Sequence, residues 1–364
     1  MGNNPSRTDR EKEMISRRTL ASFYFAISMT IILPQSSANQ GATAVQKTAQ
    51  KFIQEFRRGE DFNQNDSVSA VVVNGRLSPL DLILLTKELG VGNSEVRKNL
   101  VDLLEKIGIE LDTPTPDKFP VIRDKSILRA LVVEGFLKDD AASESAARVL
   151  TRRVKPSDLA LFKDTYIMSL QESKGDYLSL ASKAKVTRAL PFVERLAQLP
   201  RWQSDPERQD AIKIAQAALG NILLEEQFIN SVRDAEVMAP PAPPNRFYNV
   251  GTAKDGSEVA KRLKILGRIG TRRSLLTVCE YLRSPLKSYV PQVSERSVRY
   301  AALEALLFNF PDERVLHDPI GLAGWSAAED FCRVHLGAVF DGPTPDIPPD
   351  QAYPTKVLPT PVRK

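Results

Sequence analysis

One signal recurs along the chain and limits what it can fold into. A capping side chain, twice followed by proline, precedes a run with apolar residues at helical spacing, and glycine or a polar turn closes the run. Ser78-Pro79 offers an N-cap hydroxyl and places proline at the first helical position, where its missing N–H costs nothing. Leu80, Leu82, Leu84, Leu85 and Leu89 follow, with Gly90 read as a left-handed C-cap. Asn93 then caps a second run through Val96, Leu100, Leu103, Leu104 and Ile107, which Gly108 closes. Asp205-Pro206-Glu207 opens another run through Ile212, Ala215 and Leu219 to Gly220-Asn221, and a partner follows over 222–235. Further helices are expected near 43–58, 125–137, 142–153 and 157–172, with a pair over 178–198 that Pro191 kinks or breaks. Helices joined by turns this short are αα-hairpins, so the fold class is all-α. Val68–Val73 before Asn74-Gly75 is an isolated hairpin-like stretch, read as an extended segment or a helix end.

Residues 257–309 carry the most specific pattern. Val298, Arg299, Ala302, Ala305 and Leu306 follow a V-R-x-x-A-x-x-A-L order. Leu263, Leu266, Gly267, Ile269 and Gly270 match the end of a preceding first helix, and Leu275, Leu276, Cys279 and Leu282 match its partner. Val96-Arg97 with Leu100, and Leu128-Arg129 with Val132, echo the same order. This pattern resembles HEAT-like repeats, in particular the subclass named after phycobilisome lyases. The resemblance covers about half of the chain after the leader, with uneven spacings. It implies an α-solenoid of HEAT-like helix pairs and says nothing of activity. On a helical wheel, Leu303 and Leu307 project away from the side shared by Val298, Ala302 and Leu306. A helix apolar on two sides needs cover on two sides, which stacked pairs supply.

The expected organisation is a signal peptide over 1–38, an N-terminal extension over 39–77 and a helical-repeat block over 78–238. A Pro-rich linker or loop follows over 239–256, then HEAT-like repeats over 257–340 and a Pro-rich tail over 341–364 that is disordered or extended. Arg17 and Arg18 precede a 14-residue apolar run, Leu20–Leu33, and Ser36-Ser37-Ala38 supplies small residues for a cut after Ala38. The run is short for a transmembrane helix, which needs about 20 residues. The expectation is export to the periplasm or beyond. Ser16-Arg17-Arg18-Thr19-Leu20 partly resembles a twin-arginine signal, and an uncleaved membrane anchor is the alternative.

The net charge of +5 falls to +3 once residues 1–38, with five basic and three acidic groups, are set aside. So balanced a body argues against a nucleic-acid partner. Two histidines, His317 and His335, and two cysteines leave little for a metal or thiol site, and no cofactor or catalytic set is expected. Cys279 and Cys332 are a candidate disulfide in an exported protein, or else two buried apolar side chains. Lys261, Lys264, Arg268 and Arg272 form a candidate face for an anionic partner, or else a solvated helix face. Arg148, Arg152, Arg153 and Lys155 form a second basic group. The preferred reading is a non-enzymatic scaffold that engages another protein. The alternatives are a nucleic-acid-acting protein resembling the helical-repeat DNA glycosylases, if residues 1–38 are not a signal, and a membrane-anchored assembly factor. Trp202 and Trp325, the tryptophans available for stacking on bases, lie in no recognisable motif.

Overall fold

A computed structural model of the chain describes residues 49–59, 79–112, 121–136, 141–241, 254–290, 294–317, 319 and 321–347. The signal residues Arg17, Arg18 and Ala38, the hairpin-like stretch at 68–75, Ser78 and most of the tail lie outside them. Among the described residues the chain is helical apart from one short hairpin. Helix α1 covers 49–57, followed by α2 (Pro79–Val91), α3 (Ser94–Asp112) and α4 (Lys125–Arg129), which continues as a π turn over Ala130–Gly135. Next come α5 (Ala141–Arg153), α6 (Pro156–Leu159), α7 (Lys163–Gln171), α8 (Leu178–Lys183), α9 (Leu190–Ala197) and α10 (Pro200–Gln203). The C-terminal half holds α11 (Pro206–Ala218), α12 (Ile222–Val237), α13 (Ser257–Ile269), α14 (Arg272–Glu280), α15 (Val298–Leu307) and α16 (Gly321–Phe331), which runs into a π turn over Cys332–Leu336.

The caps follow from side-chain chemistry. Asp205 accepts from the N–H groups of Glu207 and Arg208, Asn221 from Leu224, Thr271 from Ser274 and Asn93 from Val96. Each satisfies a donor that the first helical turn leaves open, worth ~1 kcal/mol per cap. Gly270, at φ +59°, ends α13 in the left-handed conformation. Gly90 and Gly108 do not end their helices, which run on to Val91 and Asp112. A Cβ at Gly108 would stand 2.8 Å from Ile122 Cγ2, so glycine there serves close packing rather than a turn. The helix expected over 157–172 is divided by a 3-10 turn at Ala160–Phe162. Pro191 lies in the first turn of α9, where it breaks no hydrogen bond.

The hairpin is an element that the sequence reading did not contain. Strands β1 (Lys287–Val290) and β2 (Ser294–Ser297) pair antiparallel between α14 and α15, with Lys287 opposite Ser297. Ser297, expected within a helical segment, ends β2 and caps α15 through the N–H of Arg299. Pro285 and Pro291 cannot donate within a helix ladder, so the chain between them is left to extended backbone.

Two apolar clusters form the core. One runs from Ala49 to Leu219 and the other from Ala217 to Leu336. They meet on α11, whose Ile212, Ala215 and Leu219 join the first and whose Ala217 joins the second. From α11 to α15 each helix packs on its sequence neighbour, and α11 on α13, α13 on α15 and α12 on α14 pack in addition. Helices α13 and α15 approach closely at Gly267, where a Cβ would meet Ala305 Cα at 2.6 Å. Asn309 locks the same crossing by donating to the Gly267 carbonyl at 2.8 Å. Helices α12 and α13, on either side of residues 239–256, also pack together.

Arg97 of Val96-Arg97 and Arg299 of Val298-Arg299 are both buried. Arg97 Nε donates to the Leu89 carbonyl at 2.8 Å, and Arg299 Nε to the Leu282 carbonyl at 2.7 Å. Each guanidinium thus satisfies a carbonyl at or near the end of the helix before its own.

Candidate functional site

The cysteines of α14 and of the turn after α16 are joined. Cys279 and Cys332 form a disulfide with Cα atoms 6.2 Å apart, and both are fully buried. Glu329, one turn before Cys332 and also fully buried, accepts from Arg283 Nη2 at 2.8 Å and from Thr344 Oγ1 at 3.0 Å. Arg283 reaches the carbonyls of Asp341 and Gly342, and its guanidinium and that of Arg333 lie over the Phe340 ring. The start of the Pro-rich tail, 341–347, is therefore extended and tied down.

The four basic residues singled out from the sequence do not act together. Lys261, Lys264 and Arg268 share the exposed face of α13, but Lys261 pairs with Glu258 at 3.6 Å and Lys264 with Glu304 at 2.8 Å. Arg272 donates to the Leu336 carbonyl at 3.0 Å, a tie between helix ends. Arg268 alone of the four has no hydrogen-bond or ion-pair partner among the described residues. In the second basic group, Arg148 faces Asp102, Arg153 pairs with Glu105 and Lys155 pairs with Asp312, which also binds Arg123 at 3.3 Å. His317 Nε2 lies 2.8 Å from the Pro311 carbonyl oxygen, and burial lowers its pKa. His335 stacks on Phe331. Among the described residues no three His, Cys, Asp or Glu side chains are placed to hold a metal.

Arg268 lines an open cleft of about 630 Å³ built around α8. Leu178, Ser179 and Ser182 of α8 line it together with Ala211 and Ile214 of α11. Trp202, Glu207 and Arg208 stand at one end, and Thr151, Arg268 and Phe308 belong to the other. Contacts fix these ends. Trp202 packs edge-on against Gly175, just before α8, where a Cβ would be only 1.9 Å from the ring. At the far end of α8, Lys183 Nζ lies 4.6 Å from the centre of the Phe308 ring and donates to the Thr151 carbonyl.

Helix α8 is held in an unusual way. Among the described residues, Ser173 at φ +59° and Lys185 at φ +55° are the two non-glycine residues with positive φ, and they bracket α8. Left-handed backbone at such residues costs of order 1 kcal/mol and gathers where a structure must hold a shape for function. Arg201 secures the first by donating to the Ser173 carbonyl. Lys185 secures the second by donating to the Ile269 carbonyl, at the end of α13. Lys183 and Lys185 therefore cap the C-terminal ends of α5 and α13, the negative poles of those helices. Burial pushes the Lys183 ammonium down to about 7 and that of Lys185 down to about 8, with Glu225 opposing the shift at Lys185.

Of this site the sequence points to Arg268 as a candidate contact, to Asp205 and Glu207 only as a helix start, and to Trp202 only as a tryptophan without a motif. The signal that was there is Lys183 and Lys185 inside the otherwise small and apolar run LSLASKAKV, because lysine in such a run must find internal partners. No protein-family model, curated protein or solved structure matches the chain.

Proposed function

We propose that this is an exported helical-repeat protein of HEAT-like type that binds another protein without catalysis, and that the α8 cleft is its binding surface. The observation that carries this is the cleft. It is shaped before any partner arrives, by helix ends drawn from separate parts of the chain, and it is held by strained residues and buried cations. The repeat reading is supported by the stacking of alternate helices from α11 to α15 and by the matched roles of Arg97 and Arg299. Export is supported by the buried Cys279–Cys332 disulfide, which suits an oxidising compartment, and by the leader-like residues 1–38.

The test is fractionation of the tagged protein in its native host, followed by affinity purification beside a Gly175→Ala variant. That substitution must expel the Trp202 ring. The expected result is an extracytoplasmic chain beginning at Asn39 and a protein partner recovered by the wild type and lost with the variant. A full-length cytosolic chain contradicts export. An identical set of proteins with both forms contradicts the cleft as the binding surface.

A further inference from the structure

The two ends of the cleft carry opposite unpaired charges. At the α10–α11 end, Asp205 is spent on the helix cap and on Arg208, which it meets at 3.1 Å. That leaves Glu207, which has no side-chain partner among the described residues. At the other end Arg268 is likewise unpartnered, beside Phe308, with the Lys183 ammonium behind that ring. Between them the lining includes the apolar Leu178 of α8 and Ala211 and Ile214 of α11, beside Ser179 and Ser182. Glu207, Ala211 and Ile214 follow helical i, i+4, i+7 spacing, so this part of the lining rises ~10 Å along α11. An extended peptide covers that span in about three residue steps.

Taking the cleft as a protein-binding surface, we infer its specificity: it takes an extended segment of the partner with a basic and an acidic residue on either side of an apolar side chain. The basic residue meets Glu207 near the Trp202 face, the acidic residue meets Arg268, and the apolar side chain lies on Leu178, Ala211 and Ile214 beside the Phe308 ring. Opposite charges at the two ends fix the direction of the segment as well as its composition, because the reversed order sets like charges together. Arginine at one end can engage a carboxylate with two parallel donors, which adds angular selectivity.

The test is selection of phage-displayed random heptapeptides on the oxidised full chain and on a Glu207→Lys/Arg268→Glu variant. Both positions are solvent-exposed, so the exchange should leave the fold intact, checked by circular dichroism. The wild type should enrich heptapeptides with opposite charges around an apolar residue, and the exchanged variant should enrich the opposite charge order. Bound peptide should shift the emission of Trp202 in a Trp325→Phe background, and Arg268→Gln should weaken binding about two- to fivefold. The inference is overturned by enriched peptides without the charge pair, by the same charge order from both proteins, by binding that leaves Trp202 unchanged, or by no enrichment. Each of these leaves the broader reading standing if the host partner is still lost with Gly175→Ala. Loss of that partner effect, with charge-ordered peptides still selected, counts against the broader reading alone.

Discussion

Reduction of Cys279–Cys332 isolates one energetic element of the C-terminal cluster. The bond closes a loop between residues 53 positions apart, so its removal frees the unfolded chain and not the native one. Loop-closure entropy for that length corresponds to ~4 kcal/mol at 25 °C. For a compact unit spanning Lys47–Lys364 that is a fall in Tm of about 6 °C. Reduction needs no substitution, so no cavity is created among the buried side chains around the two sulfurs. The assay is urea unfolding followed by circular dichroism, with the chain refolded with and without reductant and the thiol state checked by intact mass. The midpoint should fall on reduction, and the loss should concentrate in α14–α16 and the tied-down segment 341–347 when followed by hydrogen exchange. A reduced chain, verified by mass, that unfolds at the same urea concentration would refute the argument that this bond holds the cluster.

Three further outcomes follow from particular contacts. The folded-state pKa of Lys183, about 7, lies below its ordinary value of 10.5, so between those values the unfolded chain holds the extra proton and stability rises with pH. Lys183→Met should flatten that rise between urea midpoints at pH 7 and pH 10, and an unchanged slope would contradict the assignment. Gly267→Ala places a methyl 2.6 Å from Ala305 Cα, and overpacking of ~1–3 kcal/mol should exceed the ~1 kcal/mol gained in helix propensity. A more stable variant in thermal unfolding would show that α13 and α15 are not in close contact. Asp312→Asn removes the carboxylate that ties Arg123 and Lys155 to the 310–317 loop and should cost ~1–2 kcal/mol by chemical denaturation. No measurable loss would show that tie to be solvated.

The helical class was legible because its signals are local. Asn93, Asp205, Asn221 and Thr271 cap helices through hydrogen bonds spanning two or three residues, and sequence order alone reveals such bonds. Gly90 and Gly108 were misread because glycine serves two purposes, turning the chain and admitting a neighbour. Which one applies depends on residues such as Ile122, distant in sequence. The hairpin at 287–297 was missed because two four-residue strands are too short to show alternation. The cleft was out of reach for a related reason. Thr151, Leu178, Trp202, Ile214, Arg268 and Phe308 come from six separated segments, and none carries a motif. Of the four cations grouped by helical spacing, the deciding fact was partnership: Lys264 and Arg272 are engaged across helices, and Arg268 is not.

The most direct test of the cleft as a protein-binding surface is photo-crosslinking in the native host. p-Benzoylphenylalanine would replace Ser179, exposed in the cleft lining, and in a control Leu223, which is 78% exposed and outside the cleft. A discrete protein adduct from position 179, absent from position 223 and abolished by Gly175→Ala, is the predicted result. No adduct from position 179, or the same adduct from both positions, would contradict it.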